Sequence, residues 1–318
     1  MAKQPRGRIG ILLHGDVSLG LSLLMRDILL RTNRLLGRDF FEVRFVARPG
    51  LKTVEIGPVS VRPSHPAGPI DHLIVPPLAF GKDPFAGHAA ESRLIKTMHG
   101  SGTTVHSACL GSLMVAESGL LAGREATTHW SWIERAAQRF PDVRWDASRM
   151  ICDSGDIVTA GGFLAAVDLT LALIERTCTR AISHEVGRLI LADSVRQRQS
   201  VYATNLVFRR IEDPRMQRLE KWLQGRLSAS VTASDMASAC NLSVRSFYRE
   251  FVSAYGVTPK KFVQLKRIEK VRLLLRDPEV SVEEAIAGVG VTDVPSFREV
   301  FRRELGISPA EYRRRLRA

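Results

Sequence analysis

Cysteine is scarce: four residues in 318 (Cys109, Cys152, Cys178, Cys240), with no CxxC spacing among them. That argues against a disulfide framework and against a structural zinc. Long apolar runs are also missing. A membrane span needs roughly 18 residues, and the best candidate, 160–174, is shorter and carries Asp168. The apolar stretch behind Lys3, Arg6 and Arg8 runs only from Ile9 to Leu13. This is too short for the core of a signal peptide, so a cytoplasmic location is expected, with no membrane partner. Extremes of composition are absent too. Hydrophobic residues make up 45% and charged residues 25%, which excludes collagen-like and wholly disordered chains. The length fits about two domains.

Acidic residues are outnumbered: 33 Asp and Glu face 46 Lys and Arg, a net charge of +13. Residues 215–318 hold 20 basic and 12 acidic side chains, net +8, against 26 and 21, net +5, in residues 1–214. The excess is concentrated in the last third, as expected of a phosphate-rich partner.

The first 180 residues alternate short apolar runs with helical patterns. Strands are expected at 9–14, 40–47, 70–77, 103–108 and 157–160. Helices are expected at 18–36, 85–98, 110–118, 130–140 and 161–177. Such alternation implies a parallel sheet with helices on both faces. From about Ser183 the pattern is helical only. Residues 194–214, polar and ending at Asp213-Pro214, are expected to link domains at 1–193 and 215–318.

The last third repeats itself at an offset of 50. VRSFYREFVSAYGVTPKKF (244–262) lies over VPSFREVFRRELGISPAEY (294–312), with identity at Val244/Val294, Ser246/Ser296, Phe247/Phe297, Phe251/Phe301, Gly256/Gly306 and Pro259/Pro309. Upstream, Ala237 falls over Ala287 and Met236 over Ile286. Each unit reads as a short helix, a tight turn capped by Ser243 or Asp293, and a second helix. This is the helix-turn-helix pattern, with a small residue (Ala237, Ala287) expected where the second helix crosses the first.

These residues resemble the AraC-type DNA-binding domain over 215–318, closing SPAEYRRR (308–315) included. Residues 1–190 resemble the ThiJ/PfpI domain, most closely in SACLGSLMVAESGLLAGREATTHW (107–130). The expected fold is α/β: a flavodoxin-like sandwich with a parallel sheet, followed by an all-α domain with two helix-turn-helix units. The implied function is transcription regulation: a sensor that dimerises, fused to a reader of double-stranded DNA. The resemblance suggests amino acids or small nitrogen metabolites as effector, and RNA polymerase as a partner if the protein activates. No cofactor or metal is implied.

Base and phosphate contacts are expected from the exposed starts of the second helices: Ser243, Arg245, Ser246, Tyr248 and Arg249 in the first unit, Ser296, Arg298 and Arg302 in the second. The second set is poorer in base-reading groups. A joining helix over 259–276 would be about 27 Å long, suited to heads one DNA turn apart.

Cys109 follows a strand and precedes a helix, the position of a nucleophile elbow. Proteolytic relatives of the ThiJ/PfpI domain have a His directly after this Cys and an acid on the first helix; here Leu110 and Leu21 stand there. The loop expected to be glycine-rich is VPPLAFG (75–81), with Pro77 and Leu78 in place of glycines. No catalysis is therefore expected. An effector crevice is expected at the carboxyl ends of the strands, lined by His14, Asp16, Pro77, Leu78, Cys109 and Leu110. Two rivals are a bifunctional hydrolase or amidase using Cys109, and a dimeric DNA-binding protein without a ligand.

Overall fold

The computed structural model describes residues 7–64, 69–85, 87–192, 199 and 213–317. The expected linker 194–214 lies outside the described residues apart from 199, 213 and 214. The chain divides into two compact units, Met1–Gln199 and Ser200–Ala318.

In the first unit, short and mostly apolar segments form the strands, which are buried on both faces in the middle of the sheet and half-buried at the Phe41–Val46 edge. β1 (Gly7–Leu12), β2 (Phe41–Val46), β5 (His72–Val75), β6 (Thr104–Ala108) and β10 (Ile157–Ala160) are parallel. Between β2 and β5 lie the short β3 (Val54–Ile56) and β4 (Val59–Val61), an antiparallel hairpin. Three helices alternate with these strands: α1 (Leu19–Leu36), α2 (Ala89–Gly100) and α3 (Gly111–Glu117). Then come β7 (Glu125–Ala126), a 3-10 turn at Trp130–Trp132, α4 (Ile133–Arg139), β8 (Arg144–Trp145) and β9 (Ile151–Asp153). α5 (Ala165–Thr177) and α6 (Arg180–Leu189) complete the unit.

The main sheet has the order β2-β1-β5-β6-β10-β9, with β9 antiparallel at one edge. The expected parallel strands and their layering are present. The antiparallel edge and the hairpin were not anticipated, because three-residue strands give too few alternations to register. One core packs Met25, Ile28 and Leu29 of α1 with Leu169, Leu173 and Ile174 of α5. A second contains Leu73, Val75, Val105, Met114 and Val115.

The second unit holds α7 (Pro214–Gln224), α8 (Ala233–Ala239), α9 (Val244–Tyr255), α10 (Pro259–Leu274), α11 (Val282–Ala287), α12 (Val294–Leu305) and α13 (Pro309–Arg317). Each of α8, α9, α10, α11 and α12 starts at a side-chain cap: Thr232, Ser243, Thr258, Ser281 and Asp293. Each cap supplies an acceptor to one otherwise unpaired N–H. Two separate cores result. Phe247, Phe251, Tyr255 and Phe262 stack in the first, and Ile268, Val271, Phe297, Phe301 and Tyr312 fill the second. α10 supplies Phe262 and Val263 to one and Ile268 and Val271 to the other. It has 16 residues, about 24 Å at 1.5 Å per residue, shorter than the expected 259–276 and about 10 Å less than one turn of DNA.

The repeat holds with one correction. The second helices pair at an offset of 50, as read from the sequence. The first helices do not: their capping boxes, Thr232/Asp235 and Ser281/Glu284, stand 49 apart. Buried Met236, Ala237 and Cys240 therefore correspond to buried Ala285, Ile286 and Val289. Ala287 is exposed and does not pack where Ala237 does. The turn of the second unit is one residue longer, and Gly290 in it takes a left-handed φ of +66°. A Cβ there would meet the carbonyl oxygen of Ser228 at 1.9 Å.

Among the described residues no helix is long and apolar enough to cross a membrane. Gly290→Ala should destabilise the second unit by about 2–4 kcal/mol, through left-handed strain and collision with backbone that cannot swing away. Chemical unfolding of the full chain checks this, with the transition of the first unit unmoved.

Candidate functional site

β6 ends at Ala108, and Cys109 turns the chain into α3 with φ +54°. A left-handed φ is uncommon for a residue with a Cβ and persists only where surrounding bonds impose it. Here the Cys109 N–H donates to Ala160 O at 2.7 Å, and Thr128 Oγ1 donates to Cys109 O at 2.7 Å. The strand–turn–helix geometry expected of an elbow is thus present.

The chemistry at the elbow is that of a buried thiol. Cys109 is 5% exposed. Burial pushes its pKa up to about 12, only partly offset by the N–H of Leu110. A thiolate is the reactive form, and this environment disfavours it. Leu110, directly after Cys109, lines the cavity beside the elbow, and Leu21 is buried in the core around α1.

A cavity of about 470 Å³ opens beside the elbow. Phe80 and Phe163 line it, with ring centroids 4.8 Å apart. Trp132 and Arg135 also line it, and the guanidinium lies 4.5 Å from the indole centroid. Burial lowers the pKa of His129, a further lining residue. Its Nδ1 accepts from the Ser131 N–H at 3.2 Å, which leaves Nε2 as the donor of a neutral ring.

Of the six crevice residues expected from sequence, Leu78, Cys109 and Leu110 line this cavity and His14, Asp16 and Pro77 do not. Asp16 reaches it indirectly: its carboxylate binds Lys82, a lining residue, at 2.7 Å. That ammonium holds the Asp16 pKa below its ordinary value. Pro77 O accepts from the Ser18 N–H at 2.8 Å, and the Ala79 N–H donates to Asp16 O at 2.8 Å, so the 77–79 loop is fastened to residues 16–18. Trp132, Arg135 and Phe163 also line the cavity without a sequence signal that ties them to the elbow. They come from segments distant from Cys109 in the chain, within the helical patterns at 130–140 and 161–177.

The first unit holds two histidine pairs: buried His14 and His88, outside the strands, and half-buried His72 with buried His106 on β5 and β6. Burial, then the neighbouring His88, pushes His14 down to about 4, against the opposing pull of Asp16. The two rings meet edge to face at 5.1 Å. Burial, then His72 and Arg176, pushes His106 down to about 3. His72 Nδ1 lies 3.2 Å from His106 Nε2. Among the described residues no cluster of three or more His, Cys, Asp or Glu has metal-binding geometry.

In the second unit, the exposed side of α9 carries Arg245, Tyr248 and Arg249, opposite buried Phe247 and Phe251. Ser243 is the cap of α9, accepting from the Ser246 N–H at 3.2 Å. On α12, Ser296, Arg298 and Arg302 are exposed. The Ser296 N–H is held by Asp293 at 3.0 Å, and Arg298 is ion-paired with Glu283 of α11.

Cys109 should resist iodoacetamide in the native protein at pH 8 and react after denaturation, as peptide mass mapping would show. The histidines give a pH dependence. Both rings are neutral in the fold, whereas the unfolded chain takes up protons below its ordinary value of 6.5. The unfolded state then binds more protons, so stability present above pH 6.5 is lost as pH falls towards about 4. The slope should reach about 1.4 kcal/mol per pH unit for each histidine. Urea unfolding of the first unit between pH 7.5 and 4.5 measures it.

Two family models match the chain: a helix-turn-helix domain over residues 236–315 and the DJ-1/PfpI family over residues 68–176. The chain is 24% identical over 213 residues to the HTH-type transcriptional regulator GbdR of Pseudomonas aeruginosa, covering 67% of this chain and 58% of that protein. It is 25% identical over 244 residues to the HTH-type transcriptional regulator ArgR of the same organism, covering 74% and 71%. The chain thus spans little more than half the length of GbdR. A crystal structure of an AraC family transcriptional regulator from Pseudomonas putida shares the fold, with a TM-score of 0.50 at 17% identity, over 58% of this chain and 99% of that one. The chain thus joins a region matching the DJ-1/PfpI family, on an elbow-bearing parallel sheet, to a region matching a helix-turn-helix domain, and it is similar to HTH-type transcriptional regulators.

Proposed function

We propose that this protein is a sequence-specific, DNA-binding transcription regulator, controlled by a small molecule bound in a non-catalytic first domain. The observation that carries the reading is the pair of helix-turn-helix units sharing α10. Their recognition helices α9 and α12 have apolar inner faces and polar outer faces. Arg245 and Arg249 have the fork geometry that reads guanine bidentately, and Tyr248 can stack or bond phosphate. Arg298, held by Glu283, and Arg302 serve phosphate contact, while Ser243 acts through the cap. The net charge of +8 over residues 215–318 supplies the sequence-independent attraction to double-stranded DNA.

The effector sits in the cavity at Leu78, Cys109 and Leu110, with Phe80, Trp132 and Phe163 as its aromatic walls. The first domain extends to Gln199 rather than ending at 193, so the linker of this reading is 200–214 ahead of the DNA-binding domain at 215–318, and the first domain also dimerises the protein. The relatives are HTH-type transcriptional regulators, and RNA polymerase is a partner if this one activates. A protein of this kind works in the cytoplasm.

One observation favours a second reading, a Cys109-dependent hydrolase: the strained elbow itself, with φ +54°. Against it stand the raised thiol pKa and the apolar Leu110 and Leu21, since a nucleophile needs a partner to take its proton.

The test is selection of duplexes from random DNA by the full chain. Arg245→Ala or Arg249→Ala should cost about 1–3 kcal/mol on the selected duplex and relax one base position. An equal loss on random DNA would make these arginines phosphate contacts. Failure to enrich any sequence would sink the regulator reading. Turnover of peptide, amide or aldehyde substrates, abolished by Cys109→Ser, would replace it with the hydrolase.

A further inference from the structure

Gln199 is the last residue of the first unit, and its side chain is built into that unit as a core residue would be. It is 2% exposed. Its amide nitrogen lies 2.7 Å from Thr127 Oγ1, 3.0 Å from Thr128 O and 3.2 Å from Arg149 O. Its carbonyl oxygen accepts from the Trp130 N–H at 3.0 Å, and its own N–H donates to Ser148 O at 2.9 Å. A buried carboxamide with donors and acceptor all used is held far more firmly than an exposed loop residue, because release would strand several buried partners.

The room for it is made by Gly161. A Cβ on that residue would meet Gln199 Nε2 at 2.3 Å and Cδ at 2.6 Å. Gly161 directly follows Ala160, whose carbonyl holds the N–H of Cys109.

Two of the partners of Gln199, Thr128 and Trp130, flank the lining residue His129, while Thr127, Ser148 and Arg149 lie behind them. Thr128 Oγ1 holds the Cys109 carbonyl at 2.7 Å. Trp130, held by Gln199, opens the 3-10 turn containing Ser131 and Trp132, and both of these line the cavity beside His129. A molecule entering the cavity must press on residues 129–132 or on Cys109. Trp130 is one hydrogen bond from Gln199, His129 and Ser131 are one residue further, and Cys109 is reached through Thr128 by a second hydrogen bond.

From these contacts we infer that Gln199 is the positioning residue linking the cavity to the helix-turn-helix domain: it latches the start of the connecting chain to the cavity wall, and cavity occupancy tightens or frees that latch. The inference rests on the regulator reading above. It adds what that reading lacks, a physical route by which a ligand in one unit is felt in the other.

The test uses the full chain, with Gln199→Met, which keeps volume but not the hydrogen bonds, and Gly161→Ala, which evicts the side chain from the opposite side. The duplex selected by the wild-type chain is the DNA probe. Each variant should speed hydrogen exchange at the Trp130 amide about tenfold or more. Each should also change affinity for the duplex about fivefold or more, although neither residue lies in the DNA-reading unit. Faster exchange at Trp130 with unchanged DNA affinity would overturn the inference and leave Gln199 a packing residue. Unchanged exchange would overturn the latch itself. If either variant unfolds the first unit, the other carries the test, and Gln199→Ala stands in reserve. A wild-type chain that enriches no duplex would overturn the regulator reading, while exchange at Trp130 would still report on the latch.

Discussion

A single helix shared by two cores governs the second unit. Neither core closes without α10: Phe262 and Val263 complete the aromatic stack around Phe247 and Phe251, and Ile268 and Val271 complete the packing around Phe297 and Phe301. Shifting α10 along its axis would expose large side chains at both ends, at about 1.5–3 kcal/mol for each one uncovered. The spacing of α9 and α12 is therefore fixed by hydrophobic packing. Arg267, donating to Leu227 O and Ala229 O at 3.0 and 2.8 Å, adds a polar brace between α10 and the loop ahead of α8.

In the first unit the governing constraint is burial of the sheet on both faces. It forces every polar side chain inside to find a partner or stay neutral, which is why His14 and His106 are held uncharged. Asn33 shows the satisfied case: its amide donates to Phe41 O at 2.8 Å and its oxygen accepts from the N–H groups of Phe40 and Phe41. The same burial explains the chemistry of the elbow. Its backbone has the shape seen where nucleophiles are displayed, but the side chain sits where a thiolate is costly. Geometry and electrostatics disagree, and reactivity follows electrostatics.

Much of this was legible in the sequence, for reasons that also mark the limits. The parallel strands showed because a doubly buried strand is a nearly unbroken apolar run, and IVTA at 157–160 was placed to the residue. The second helices of the repeat showed because Phe247/Phe297 and Phe251/Phe301 are identical anchors at fixed spacing. The first helices misled: Ala237 and Ala287 match in letter, but packing equates Ala237 with Ile286. A one-residue change in a turn leaves no trace in identities. The cavity was half legible. Residues beside the elbow in sequence were found, whereas Trp132, Arg135 and Phe163 arrive from other elements through tertiary packing. Gln199 gave no signal, being one polar residue in a polar stretch.

The longer turn of the second unit bears on how the duplication can be handled. Although α9 and α12 superpose in sequence, the units are not interchangeable parts. The first turn has Asn241 in the left-handed conformation, at φ +55°. The corresponding Gly290 lies against the Ser228 carbonyl, where a Cβ would come within 1.9 Å. A chimera carrying two copies of the first unit would bring an asparagine into that contact and shorten the turn around it. A grafted recognition surface must therefore be transplanted as side chains on α12, with the second unit's own turn retained, if the protein is to be reprogrammed towards a new operator.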